Sequence, residues 1–165
     1  MSSPISFDVL PAALTAVRTR PLFVMRLDVR KLTIIGETAG SFRRIGVVPG
    51  GVFEGERLSG EILDGGNDWQ SVRRDGSTML DVRLVLRVDD GEHIMMRYQG
   101  LRHGPKDVID RLESGEVVDP ESYYFRINPM FEAPSGRHDW LNRVMAIGVG
   151  HRLADGPVYS VFEVL

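Results

Sequence analysis

Cysteine is absent from this 165-residue chain, which removes disulfides, thiolate metal sites and cysteine nucleophiles from consideration. A long apolar run is missing too. The best candidate, Leu10 to Val17, is broken by Pro11 and Thr15 and is too short to span a bilayer. The opening Met1-Ser2-Ser3-Pro4-Ile5-Ser6-Phe7-Asp8 has no basic stretch leading into an apolar one. A secretion signal is therefore not expected, the expected location is cytoplasmic, and no membrane partner is anticipated. Strong positive charge is lacking as well. The formal net charge is −3 and the many arginines are interleaved with carboxylates, so no nucleic-acid partner is expected. Gly36-Glu37-Thr38-Ala39-Gly40 has neither the spacing nor the strand-to-helix setting of a phosphate-binding loop. A Gly-x-Ser-x-Gly elbow is also absent. These gaps disfavour nucleotide-dependent and serine-hydrolase chemistry, and no cofactor is expected.

What is present is the composition of an ordinary globular domain, 42% hydrophobic and 26% charged. The 18 glycines and nine prolines recur between short alternating runs, which is how a sheet protein is punctuated. Phe23, Met25, Leu27 and Val29 share one face of a strand over Leu22 to Lys31, with Arg26, Asp28 and Arg30 on the other. Further strands are expected over 43–48, 52–63, 68–73, 122–128, 143–150 and 158–165. The clearest covers Thr78 to Val88, and Asp89-Asp90-Gly91 turns it back into Glu92 to Leu101 as a hairpin. Gly104-Pro105 opens one short helix over 105–114, with Val108, Ile109 and Leu112 as its apolar stripe. About eight strands and one surface helix predict a single mainly β domain over 1–165, less regular in 1–20. Closing the last strand against the first would make an antiparallel barrel without exposed edges. Gly148-Val149-Gly150, inside a strand, is expected to permit close packing.

Several segments carry a resemblance when taken in order. They are Phe42 to Gly55 (FRRIGVVPGGVFEG), Gly65-Gly66-Asn67-Asp68-Trp69, Asp75-Gly76, Leu80-Asp81-Val82-Arg83 and Asp89-Asp90-Gly91. Tyr124-Phe125-Arg126, Pro129-Met130-Phe131-Glu132 and Trp140-Leu141-Asn142 complete the set. Over about Leu22 to Leu165 the chain resembles the domain-of-unknown-function 3237 family of small bacterial and fungal proteins. The resemblance implies a closed β-barrel similar to the allene oxide cyclase-like and calycin-like barrels, and it implies no activity. An eight-stranded lumen is either filled by side chains or holds one small ligand.

Asp81 and Arg83 lie two apart on one strand and so point the same way, with Arg97 near them on the hairpin partner. Either the three line the lumen and bind a carbonyl or carboxylate, or they face water while Leu80, Val82, Leu84 and Leu86 fill the inside. Asp68 and Trp69 follow a glycine turn. Asp68 is a candidate acid or base and Trp69 a candidate wall, against the alternative of a turn-bonding carboxylate and a plugging ring. Phe131, Glu132, Trp140 and Asn142 flank a Pro-Ser-Gly loop. Glu132 is a candidate proton shuttle, Asn142 a candidate oxyanion donor or else a satisfier of backbone groups, and Phe131 and Trp140 candidate walls. Arg126, within the resembling segments, joins the candidate ligand contacts. His93, His103, His138 and His151 fall at no close ligand spacing, so a surface position is expected for each and no metal is expected.

The sequence therefore predicts a barrel that binds a small, partly apolar organic molecule. Isomerisation, cyclisation, or addition and loss of water through carboxylate and amide groups is the catalytic reading. A non-catalytic carrier or sensor, or a structural protein with an exposed strand face serving a homodimer, are the alternatives.

Overall fold

The computed structural model describes residues 5–29 and 31–165. Residues 1–4, the beginning of the segment expected to be less regular, and Arg30 lie outside the described residues. Ahead of the first strand stand two short 3-10 turns, Phe7–Val9 and Ala12–Leu14. The strands then follow as β1 (Thr19–Asp28), β2 (Thr33–Glu37), β3 (Phe42–Val48), β4 (Gly50–Glu54), β5 (Ser59–Ile62) and β6 (Gly66–Val72). The second half holds β7 (Thr78–Val88), β8 (His93–His103), helix α1 (Lys106–Glu113), β9 (Tyr124–Ile127), β10 (Met130–Glu132), β11 (Ala146–Leu153) and β12 (Gly156–Val164).

Every second residue of β7 is buried, from Thr78 through Leu80, Val82, Leu84 and Leu86 to Val88, while Asp81, Arg83, Val85 and Arg87 are exposed. A strand with period two has to choose one face for the core, and β7 puts its aliphatic row inside. Its antiparallel hairpin partner β8 runs in register from Thr78↔Arg102 to Arg87↔His93. That register turns Ile94, Met96, Tyr98, Gly100 and Arg102 inward.

Eight strands close a ring of antiparallel neighbours in the order β1, β4, β5, β7, β8, β9, β11, β12. The last strand returns to the first from Thr19↔Val164 to Arg26↔Val158. The chain is thus a mainly β, closed antiparallel barrel with one helix, as its alternation predicts. Closure removes the unpaired edges of the ring. β6, β3 and β2 extend the sheet from the first half of β7, and β10 pairs with β8.

The long strand expected over 52–63 is instead the hairpin β4–β5, broken at 55–58. The absent side chain of Gly55 lets the Leu22 carbonyl pass where a Cβ would stand, and buried Phe53 and Leu58 flank the turn. The short strands β2 and β10 carried no period-two signal. β2 is exposed along nearly its whole length, and β10 is three residues long behind Pro129. The strand expected from Arg143 begins at Ala146 because Asp139–Arg143 forms a 3-10 turn.

The two ends of the barrel differ. Near the β7–β8 turn, Phe23 packs on Phe53 and Phe131 with ring centroids 5.4 and 6.0 Å apart, and Leu141 is fully buried. At the other end α1 lays Val108 and Leu112 on the barrel. Between these ends the wall is thin at β11. A Cβ on Gly150 would stand 2.6 Å from the Phe125 ring, and one on Gly148 2.6 Å from Ile127.

Overpacking follows directly. Gly150→Ala is expected to destabilise the fold by about 1–3 kcal/mol because the Phe125 ring must shift in a packed wall. Val149→Ala, on the outer face between the two glycines, should stay within about 0.5 kcal/mol of the parent. Urea unfolding of the three proteins measures both, and equal midpoints would contradict the close packing.

Candidate functional site

Alternation along β6 turns Asp68 and Gln70 into the barrel and leaves Trp69 outside. Asp68 stands opposite Val82, which in turn stands opposite Tyr98, so the carboxyl and the phenol share one row across three strands. Gln70 pairs with inward-facing Arg44 of β3. Arg102 ends the inward row of β8, and Arg152 lies just before the β11–β12 turn.

These side chains form a chain of hydrogen bonds. Arg44 Nε donates to Gln70 Oε1 at 2.7 Å, and Gln70 Nε2 donates to Asp68 Oδ2 at 2.6 Å. The two terminal nitrogens of Arg44 grip Glu113 of α1 at 2.6 and 2.9 Å, and Arg102 Nη2 reaches the same carboxylate at 2.9 Å. A bidentate guanidinium–carboxylate pair is among the stronger polar contacts. The helix is therefore bolted to the barrel mouth by charge as well as by Leu112.

Beneath the mouth lies a cavity of about 70 Å³, lined by Asp68, Gln70, Arg44, Arg102, Glu113 and Arg152 together with Leu27, Leu80, Tyr98, Phe125 and Tyr159. At about 30 Å³ per water in the liquid this is room for roughly two waters, or one small functional group. It shares Leu27, Val29, Leu32, Leu112, Glu113 and Arg152 with a wider recess of about 880 Å³ that opens outward. The Tyr98 and Tyr159 rings meet edge to face at 5.7 Å, with their hydroxyls 3.5 Å apart. Among the described residues, Asp68 Oδ1, Arg102 Nε and Arg152 Nη1 are buried without a hydrogen-bond partner.

The electrostatics follow from burial. Removal from water raises the Asp68 carboxyl from 3.8 to about 6, against the opposing pull of the Gln70 amide, the nearby Asp81 main chain and the charges of Arg102 and Arg44. Burial also raises Tyr98 well above its ordinary value, helped by the neighbouring Tyr159 and Asp68 charges. Tyr159 is raised mainly by burial as well. Glu113 moves the other way. Burial works against its charge, yet the Arg44 hydrogen bonds and the Arg44, Arg102 and Arg152 charges outweigh that and hold it below the ordinary range. Near neutrality the cavity thus presents ionised Glu113, an Asp68 close to its titration point, and two phenols that keep their protons.

Of the residues singled out in the sequence, Asp68 alone lines this cavity. Asp81, Arg83 and Arg97 take the outward of their two readings and face water. Trp69 is 47% exposed on the outer face, so it neither covers the cavity nor plugs an end. Arg126 is also outside, with its guanidinium 4.8 Å from the Tyr124 ring. Phe131 is buried at the far, aromatic end. Glu132 is exposed beside it. Trp140 is half-buried under the Arg57 guanidinium at 4.1 Å. Asn142 accepts from the Ala133 amide at 2.8 Å and donates to its carbonyl at 2.9 Å, the satisfier's role. His138 corrects an expectation: it is buried, not on the surface, with Nε2 2.8 Å from Asp90 Oδ2. Among the described residues no three His, Asp or Glu side chains gather as a metal site would require.

Arg44, Gln70, Tyr98, Arg102, Glu113, Arg152 and Tyr159 were not singled out by sequence reasoning. For Tyr98 and Arg102 a signal existed, since both fall on the Ile94–Met96 face of a strand whose partner had been read. Glu113 and Arg152 come from a helix and a turn far apart in sequence, and only the closed ring brings them together.

The family model described as "Protein of unknown function (DUF3237)" matches residues 17–164, and the chain belongs to this family. A UPF0311 protein of Rhodopseudomonas palustris strain TIE-1 is 34% identical over 149 residues, covering 90% of this chain and 97% of its own. The crystal structure of a conserved protein of unknown function from Rhodopseudomonas palustris is similar at 33% identity and a TM-score of 0.88, covering 91% of this chain and 99% of that one. A β-barrel-like protein from Acinetobacter baumannii AYE is similar at 35% identity and a TM-score of 0.79, over 91% and 97%. An enzyme from Penicillium herquei shares the fold at 16% identity and a TM-score of 0.70, over 94% and 100%.

Burial of Asp68 sets a pH dependence of stability. A carboxyl raised in the folded state stabilises the fold below its unfolded value near 3.8, and that contribution is lost as pH rises toward about 6. At ~1.4 kcal/mol per pH unit, the loss reaches about 3 kcal/mol above that window. Asp68→Asn keeps an acceptor for Gln70 and never ionises. It is expected to be more stable than the parent by up to about 3 kcal/mol near pH 8, with the advantage gone near pH 4. Urea unfolding at both pH values checks this, and a constant difference between the proteins would contradict it.

Proposed function

We propose that this family member is an acid–base barrel that moves a proton within a small, partly apolar organic molecule, with Asp68 as the base that takes the proton and the acid that returns it. The observation carrying this reading is the row of Asp68 and Tyr98, with Tyr159 beside it, in a cavity whose aliphatic and aromatic walls lie beneath a charged rim. Buried polar groups are costly unless satisfied, and Asp68 Oδ1 faces that cost without a protein partner.

The division of labour follows from the protonation states. Asp68, shifted toward neutrality, is suited to accept a proton from a carbon next to a carbonyl. A phenol that holds its proton donates a hydrogen bond to the carbonyl oxygen as negative charge grows on it, and Tyr98 and Tyr159 are both held in that form. Return of the proton from Asp68 to another carbon gives an isomer. Its delivery to a departing hydroxyl gives loss of water, and the reverse gives addition. In each case the proton taken is the proton delivered, so atoms and charge balance without an oxidant. The likeness to the Penicillium herquei enzyme is one of fold, so the reading rests on this chain's own residues.

Thermal shift first identifies which members of a panel of small cyclic ketones and enones bind, because a ligand of the native state raises its melting temperature. Proton NMR in D2O then follows exchange at the carbon beside the carbonyl. The parent is expected to accelerate exchange, with a rate that rises as pH passes about 6. Asp68→Asn should lose about a hundredfold or more of it while still binding. Glu132→Gln and Arg97→Ala, on the exterior, should match the parent. Binding without exchange would leave a carrier, and exchange untouched in Asp68→Asn would overturn the role given to Asp68.

A further inference from the structure

The charge around the cavity does not balance. Three guanidiniums line it, from Arg44, Arg102 and Arg152, against two carboxylates, from Asp68 and Glu113. Both oxygens of Glu113 are already engaged by Arg44 and Arg102. Arg152 makes no salt bridge among the described residues, and its Nη1 is buried without a partner. Arg102 Nε is buried and unpartnered as well. Burial and the like charges of Arg102 and Arg44 work against the charge on Arg152, and the attraction of Glu113 and Tyr159 offsets only part of this, so the protein repays the desolvation of this group incompletely. The walls around it are apolar, formed by Leu27, Leu80, Phe125 and Pro157. The recess above it gives room for a larger skeleton.

We infer that the ligand of this cavity is a small carboxylate on an apolar skeleton, whose negative group sits between Arg102 and Arg152. This inference rests on the acid–base reading of the same cavity and adds the class of molecule. A carboxylate there has two free donors to accept from, Arg102 Nε and Arg152 Nη1, one for each oxygen. It supplies the missing negative charge at the place where two like charges face each other. The apolar remainder lies over Phe125 and Leu80 and leads out past Leu112. Arg102 and Arg152 are binding residues in this arrangement. They orient the molecule so that its reacting carbon reaches Asp68.

The test compares matched carboxylate and amide pairs, which differ in charge and hardly in shape: acetate with acetamide, benzoate with benzamide, 2-naphthoate with 2-naphthamide. Each is titrated at neutral pH by calorimetry into the parent, Arg152→Gln and Arg152→Lys. At least one carboxylate is expected to bind about tenfold or more tighter than its amide in the parent, as a desolvated charge pair allows. Arg152→Gln should erase that preference, and Arg152→Lys should keep part of it. Arg152→Gln should also melt higher than the parent without ligand, since a repulsion is relieved. The inference is overturned if no pair discriminates, if none of the compounds binds, or if Arg152→Gln keeps the preference. Carboxylate preference without proton exchange would remove the acid–base reading and keep the anion site. Exchange dependent on Asp68 without carboxylate preference would do the opposite.

Discussion

Two guanidiniums, from Arg44 and Arg102, are held almost out of water at the mouth of the ring, with side chains 10% and 5% exposed. The Glu113 carboxylate makes that tolerable. Removing one partner of a buried pair leaves the other charge uncompensated, which costs far more than the pair contributes. The three residues come from β3, β8 and α1, so the same contact fixes two walls of the barrel and its helix. Through Gln70 it also fixes Asp68. The chain Glu113–Arg44–Gln70–Asp68 has two hydrogen bonds at its first junction and one at each of the next two, so rotating any member breaks the next. The orientation of the candidate acid–base group is set at the rim.

The two ends of the barrel solve the problem of closure by different chemistry. Away from the mouth, the Phe23, Phe53 and Phe131 rings pack tilted and edge to face, and among the described residues Glu92 Oε1 and His138 Nδ1 are buried there without a partner. Polar residues gathered there act on their own backbone or on their neighbours, as Asn142 does on Ala133 and His138 on Asp90. At the mouth the residues are charged, and the cavity beneath them keeps volume that side chains do not fill. Had Phe131 and Trp140 met Glu132 in the lumen, a site at the aromatic end would have been the natural reading. The register denies it, because Phe131 turns inward opposite Met96 while Glu132 turns outward opposite Met95.

Much of the barrel was legible because its rule is local. Alternation in β7 and the Asp-Asp-Gly turn suffice to give the central hairpin, and the apolar ending of the chain suffices to close β12 on β1. Strands without an alternating core face, β2 above all, left no such trace. The site was legible only where it obeyed the same rule. Asp68 follows a glycine turn and alternates with Trp69, so its side had to oppose that of the ring. Asp81, Arg83 and Arg97 were drawn as candidates by their charge, and the aliphatic residues between them decided the outcome by claiming the lumen. Reading the β8 face to its end would have reached Arg102. No local pattern reaches Glu113 or Arg152, because their meeting depends on where a helix and a turn fall on the finished ring.

On the proposed reading, binding and reaction are separated in depth. Groups with permanent charge stand at the rim, where the recess reaches Arg152 and Glu113 and the cost of holding Arg44 and Arg102 is offset by Glu113. The groups that change protonation stand on the floor, where low polarity moves a carboxyl toward neutrality and keeps phenols protonated. Reversing the order would fail on both counts. An arginine on the floor would pull the Asp68 carboxyl back down and weaken it as a base, whereas a carboxyl at the rim, as Glu113 shows, is pinned in its ionised form. The Arg102 and Arg44 charges lower the Asp68 carboxyl without cancelling the rise that burial causes, so two protonation regimes stand within one small cavity. On the proposed reading, a molecule that uses both places its carboxylate at the rim and its reactive carbon toward Asp68.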